Sequence, residues 1–146
     1  MISLDLYLLP GDPQSQKRHR TGKFRNTYDP SHADKTKVSL ELLAQRPLKR
    51  GIISEGPLKV EIGAYYSIPK SFSEKKKERM LNTYKQTIPD VDNIAKFYLD
   101  AMNKTIISDD NIISELVVKK IWDSDPHVTI KIKSLGDTKN YKDLGW

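Results

Sequence analysis

Five aspartates fall within one short stretch of this chain. Asp90 and Asp92 flank Val91, Asp100 follows, and Asp109 and Asp110 end the next loop, with Lys96 set between the two groups. Carboxylates gathered in one place repel each other unless a cation sits among them. A hard divalent ion would serve, because Mg²⁺ is held by a few carboxylate oxygens together with waters and substrate phosphates. Oxygen donors in a chain without cysteine select Mg²⁺, with Mn²⁺ as a substitute, over zinc. Such an ion suits phosphodiester hydrolysis, where it lowers the pKa of a bound water and neutralises the charge that grows on the phosphate. Lys96, four residues after Asp92, has the reach to orient the attacking water or to offset that charge.

Each acid also has a plainer explanation. Asp92, Lys96 and Asp100 at four-residue steps would make an exposed ion-pair ladder on a helix, worth a few tenths of a kcal/mol per pair, roughly. Asp90 would cap that helix, and Asp109 and Asp110 would be turn residues. Asp100 reads either as the acceptor that fixes Lys96 or as packing. Asp109 reads as a further ligand or as a turn residue, the turn being favoured. Taken singly these suffice, but they do not explain why the acids converge.

The string PDxDNxxKxxLDAM over residues 89–102, followed by a short loop, Asp109-Asp110 and a lysine-bearing segment, resembles the RusA family of Holliday junction resolvases, small dimeric metal-dependent endonucleases. The likeness extends to the amino-terminal strand leading into LLPGDPQSQKRHR, to YDP at residues 28–30, and to YYSIPKSFSEKKK at residues 65–77. The resemblance implies that Asp90, Asp92 and Asp110 are the catalytic acids and metal ligands, that Lys96 is their catalytic partner, and that the protein is a homodimer acting on four-way DNA junctions. Two departures stand out: Met102 replaces the more usual leucine, and the loop Lys104 to Ser108 lacks the glycine often found there.

Composition bounds the rest. A chain of 146 residues suits one domain. The net charge of +6 and pI near 9.4 favour a polyanionic partner. The absence of cysteine removes disulfides and thiolate metal sites. The amino terminus has no basic region followed by a cleavage site, and no apolar run approaches membrane length, so the cytoplasm is the expected location. His19, His32 and His127 are scattered without ligand spacing and read as loop or surface residues.

The elements that must carry the acids can be read from periodicity. Ile2, Leu4, Leu6 and Leu8 alternate with Ser3, Asp5, Tyr7 and Leu9, the period of a half-buried strand that Pro10 and Gly11 stop. Residues 11–32 form a long polar loop. A helix is expected over about 33–46, ending at Arg46-Pro47, and a second strand follows with Leu58, Val60, Ile62, Ala64 and Tyr66 alternating. In the basic segment 67–88, SEKKKERM either forms a short helix capped by Ser73 or stays disordered in the free protein. The motif helix spans about Val91 to Asn103, with Val91, Ile94, Ala95, Tyr98, Ala101 and Met102 as its buried stripe and Asp92, Lys96, Asp100 and Asn103 opposite. Residues 112–122 and 127–134 read as a hairpin turning at Asp123 to Pro126, before a polar tail over 135–146. That order gives a single α+β domain with helices on one face of a mixed sheet.

Basic residues form two runs: Lys17, Arg18, Arg20, Lys23 and Arg25, then Lys70, Lys75, Lys76, Lys77 and Arg79. An acidic centre that must sit against DNA needs flanking cations to overcome repulsion. The first run and Lys75, Lys76 and Lys77 are therefore expected to hold the DNA backbone. The resulting expectation is a Mg²⁺-dependent junction-resolving endodeoxyribonuclease of recombination and repair. Its rivals are a general branched-DNA or flap nuclease, a non-catalytic basic nucleic-acid-binding protein and a ribosome-like structural protein.

Overall fold

The computed structural model describes residues 4–18, 20–21 and 27–136. Strand β1 (Leu4–Pro10) leads into the long loop, which contains a small antiparallel pair, β2 (Arg20–Thr21) and β3 (Thr27–Tyr28). Helix α1 (His32–Gln45), strand β4 (Leu58–Ser67), helix α2 (Glu74–Met80) and helix α3 (Val91–Met102) follow. A 3₁₀ turn (Asp110–Ile112) then opens β5 (Ile113–Asp123), and β6 (His127–Ser134) completes the described chain. The expected α+β domain, a mixed sheet with helices on one face, is what the chain forms.

The main sheet runs β1-β6-β4-β5. β6 is antiparallel to β1 and to β4, whereas β4 and β5 are parallel, with Leu58 opposite Ile113 at one end and Ser67 opposite Asp123 at the other. The expected hairpin is therefore overturned: β5 and β6 are not neighbours, because β4 lies between them. Residues 124–126 carry the chain over the end of β4. Alternation reports that a strand is half-buried, not which strand it pairs with.

β1 also buries the face opposite its leucine stripe. Asp5, Tyr7 and Leu9 point inward while Leu4, Leu6 and Leu8 are exposed. Asp5 is tolerated there because the Arg50 guanidinium pairs with both its oxygens and the Tyr7 hydroxyl donates to it at 3.1 Å. Burial, then the neighbouring Asp5 carboxylate, pushes the Tyr7 phenol up to about 12. Leu58, Val60, Ile62 and Ala64 of β4 and Val128, Ile130 and Ile132 of β6 complete the inner face. Helices α1 and α3 cover it.

α3 buries Ile94, Ala95, Phe97, Tyr98, Ala101 and Met102. Phe97 was not in the expected stripe and Val91 was. The helix is covered on more than one flank, so its apolar arc is wider than a single stripe, while Val91 at its first turn is 46% exposed. Ser73 caps α2 by accepting from the Lys76 N–H at 3.2 Å, so SEKKKERM is helical rather than unstructured. Of the missing glycine in the loop after α3, the structure gives a physical trace: Lys104 adopts φ 65°, a left-handed conformation that glycine would take without steric cost.

Candidate active site

α3 fixes the direction of the site. Its first turn stands beside the carboxyl ends of the parallel strands β4 and β5, where the segment 82–85 hydrogen-bonds along the end of β5 and the Lys120 ammonium donates to the Pro89 carbonyl at 2.8 Å. The loop after β1 reaches the same end: the Gln16 N–H donates to the Asn93 carbonyl at 2.9 Å, and the Gln14 N–H to the Tyr98 hydroxyl at 2.8 Å. That hydrogen bond leaves Tyr98 buried, and burial pushes its phenol well above the usual range.

The five aspartates divide by what the fold does with them. Asp100 accepts from Lys35 of α1 at 2.8 Å. The same ammonium donates to Asp29 at 2.6 Å, and Asp29 also accepts from Gln16 at 2.7 Å and from the Ser31 N–H at 2.9 Å. Burial would raise the Asp29 pKa, but Lys35, Gln16 and Ser31 outweigh it and hold the carboxyl far below the usual carboxylate range. Burial likewise opposes the charge on Lys35, and Asp100 and Asp29 reverse that, leaving its pKa raised. Asp100 is thus a structural partner of Lys35 and does not fix Lys96. Asp109 accepts from the Asn111 N–H at 2.9 Å and caps the 3₁₀ turn.

Asp90, Asp92 and Asp110 are left. Asp90 occupies the N-cap position of α3, yet its side chain makes no capping hydrogen bond. Asp92 lies exposed in the first helical turn, and Asp110 is half-buried at the start of the 3₁₀ turn. Among the described residues none of the three carboxylates takes part in an ion pair. The ion pair to Lys35 and the turn role account for Asp100 and Asp109, but neither accounts for these three.

Cations surround the helix mouth. Lys96 lies exposed one turn along α3 from Asp92, and with Gln16, Lys17, Arg18 and Asn93 it lines an open cleft of about 440 Å³. Gln16 Oε1 in that cleft is buried without a hydrogen-bond partner among the described residues. Lys85 and Lys120, which composition alone did not single out, stand behind the mouth. The Lys85 ammonium lies 4.6 Å from the centre of the Trp122 ring, and burial followed by the nearby Lys120 charge lowers its pKa. The signal for this pair was weak in the sequence, since both lysines sit outside the basic runs. Lys75 and Lys76 are exposed on α2, which follows β4 at this same end, whereas Lys77 pairs with Glu74 at 3.2 Å. Arg20 lies in β2; Lys23 and Arg25 lie outside the described residues, as does the tail from residue 137.

The carboxylates meet a divalent ion only in part. Asp90 and Asp92 at one helix mouth give two oxygen-donor side chains, and Mg²⁺ is commonly held by one or two carboxylates with waters and substrate phosphates completing its shell. Asp110 does not join them within one chain. Lys120 touches Pro89, but Asp110 precedes Ile113 at the other end of β5, so the length of the strand and of α3 separates the two, roughly 20 Å at these rises per residue. Among the described residues no group of three His, Asp or Glu side chains is placed to hold a cation.

Comparison with known proteins settles the lineage. The family model for endodeoxyribonuclease RusA matches residues 10–133. The chain belongs to the RusA endodeoxyribonuclease family. It is also similar to the uncharacterized protein YqaN of Bacillus subtilis (strain 168), 34% identical over 133 residues that cover 86% of this chain and 92% of that protein. The RusA match includes the whole acidic motif and the loop bearing Lys17 and Arg18. No helix among the described residues is long and apolar enough to cross a membrane.

Proposed function

We propose that this RusA-family chain is a Mg²⁺-dependent endodeoxyribonuclease, with Mn²⁺ as a substitute, that resolves four-way DNA junctions in recombination and repair and works as a homodimer in the cytoplasm. The observation that carries the reading is the sparing of Asp90, Asp92 and Asp110. The fold engages the other two aspartates of the motif and leaves these three carboxylates without an ion pair among the described residues, and Asp90 without a capping hydrogen bond.

The residues divide the work. Asp90 and Asp92 would hold the cation. When bound, that ion supplies a water of lowered pKa and a clamp on the phosphate oxygens. Lys96 reaches the phosphate from the adjacent turn of α3 and offsets charge on its oxygens, in a cleft where fixed donors need no reorganisation. Lys17 and Arg18 grip the flanking backbone, and Lys75 and Lys76 extend the cationic surface along a second path, so the acidic pair meets DNA in a positive frame. Lys120 fixes the carbonyls of Thr87 and Pro89, at 2.5 and 2.8 Å, and thereby sets the position of Asp90.

The test is incubation of the protein with labelled four-way, flap and linear duplex DNA, with and without Mg²⁺. Paired symmetric cuts in the four-way substrate, absent without the ion, support the reading. Equal cutting of flaps or linear duplex favours a general branched-DNA nuclease. Binding without cleavage under any divalent ion returns the chain to a non-catalytic DNA-binding role.

A further inference from the structure

We propose that the outer face of the sheet, along β1, is a docking surface for an acidic, leucine-bearing peptide segment of another protein. The inference stands apart from the nuclease reading and needs no cleavage. Helices α1 and α3 cover the inner face, and no described residue covers Leu4, Leu6 and Leu8 of β1, which are 64%, 63% and 54% exposed. A single exposed leucine is ordinary, but three at successive outward positions of one strand make a continuous apolar stripe. The neighbouring strand supplies charge. Lys133 lies directly opposite Leu4, Lys131 opposite Leu6 and Thr129 opposite Leu8, and residues so paired project from the same face. Further across, Lys59 stands beside Lys133 and Glu61 beside Lys131. The nearby carboxylates are engaged by other lysines: Glu61 pairs with Lys119 at 2.8 Å and Glu115 with Lys59 at 3.4 Å. Lys131 and Lys133 are exposed and form no ion pair among the described residues. With Leu4, Lys59 and Glu61 they line an open depression of about 210 Å³.

Charge and chemistry select the occupant. A nucleic-acid backbone would pair with the lysines but leave the leucines in water. A second copy fits poorly, because an isologous contact sets the same patch against itself and brings Lys131 and Lys133 of both copies into one small interface with no free carboxylate to meet them. Addition of a strand along the β1 edge is blunted as well. The Gln45 side chain already closes that edge at Leu8, accepting from its N–H at 2.9 Å and donating to its carbonyl at 2.8 Å. A peptide lying on the face, with apolar side chains against the stripe and carboxylates toward Lys131 and Lys133, meets both halves of the surface. Such a partner leaves the helix mouth open. Leu4 and Lys133 lie at the end of the sheet where Leu58 pairs with Ser134, whereas the first turn of α3 stands at the opposite end, beside the carboxyl ends of β4 and β5.

The test uses the full chain and three short fluorescent peptides of equal length: one alternating leucine and glutamate, one alternating serine and glutamate, and one alternating leucine and lysine. Anisotropy titrations should show binding of the leucine–glutamate peptide alone. Leu6→Ser should weaken that binding by about tenfold, the size expected when one apolar contact is lost. Lys131→Glu combined with Lys133→Glu should reverse the preference, so that the leucine–lysine peptide binds in its place. All three positions are exposed, so thermal melts matching the wild type are expected and keep folding out of the comparison. No binding of the leucine–glutamate peptide, or equal binding of either control peptide, overturns the proposal. So do three other outcomes. Weaker binding of four-way DNA by Leu6→Ser would assign the stripe to the DNA surface, self-association of the wild type abolished by Leu6→Ser would make a second copy the occupant, and peptide binding only after deletion of residues 137–146 would give the stripe to the chain's own tail.

Discussion

Lys35 of α1 donates to Asp100 of α3 at 2.8 Å, tying together the two helices that cover the sheet. Asp29, from the loop that carries the cationic residues, shares the same ammonium. One lysine therefore joins the α1 scaffold, the helix that bears the acidic pair and the loop whose Gln16 touches Asn93. Lys17 and Arg18 belong to that loop and line one cleft with Lys96.

Replacing Lys35 with methionine keeps its length and removes its charge, stranding two carboxylates. Breaking a buried ion pair from one side costs about 3–5 kcal/mol, but Asp100 is 39% exposed at its side chain and water recovers part of the loss. A fall of about 2 kcal/mol in unfolding free energy is expected, read from urea denaturation at neutral pH. A variant as stable as wild type would mean that the junction contributes nothing net.

The depressed Asp29 pKa makes a further prediction about acid. Its folded value lies below the unfolded value of about 3.9, so ionised Asp29 stabilises the fold at pH above that value, and the contribution is lost as pH falls toward the folded pKa. Stability should start to decline below about pH 5, and Asp29→Asn, less stable at neutral pH, should show a shallower decline. Parallel curves for the two proteins from roughly pH 3 to pH 6 would remove Asp29 from the acid response.

Much of this architecture was legible in the sequence because long amphipathic segments carry their own period. α1, β4 and α3 appear within a residue or two of their expected bounds, and Ser73 announced α2 by its capping position. β1 defeated the same logic: it is apolar on both faces, with Leu4, Leu6 and Leu8 on one and Tyr7 and Leu9 on the other, so alternation could not choose between them. The choice came from Arg50, forty-five residues away from the Asp5 it neutralises. The insertion of β4 between β5 and β6 is likewise a long-range pairing that no local turn signal encodes. At the site, the acids and Lys96 were visible as a motif. What was not visible was their partition, because whether Asp100 serves Lys96 or Lys35 depends on how α1 docks.

The cationic cleft should show itself through salt. If Lys17 and Arg18 neutralise phosphates, the double alanine variant should bind four-way DNA more weakly, and its slope of log affinity against log salt should flatten by up to about one unit for each phosphate no longer neutralised. Lys17 spends little on its own fold: among the described residues it pairs with Asp34 alone, at 3.9 Å, so the variant should stay folded. An unchanged slope would make these residues solvated surface.

Asp92 and Asp100 sit on the same stripe of α3, two turns apart, and separate catalysis from structure. Asp92 is exposed in the first turn, where a carboxylate gains about 0.3–1 kcal/mol from the helix dipole, so Asp92→Asn should cost little stability. Its cleavage rate under saturating Mg²⁺ should nevertheless drop by orders of magnitude, because an amide is a poor ligand for a hard cation. Junction binding should persist or tighten as one negative charge leaves the DNA-facing surface. Asp100→Asn should do the reverse: the protein loses stability through Lys35 and, once folded, cuts at a rate near wild type. Cleavage kinetics, gel-shift affinity and denaturation of the two variants side by side make the check. Normal turnover in Asp92→Asn would refute the acidic pair as the catalytic centre, and a folded but inactive Asp100→Asn would place Asp100 in the chemistry after all.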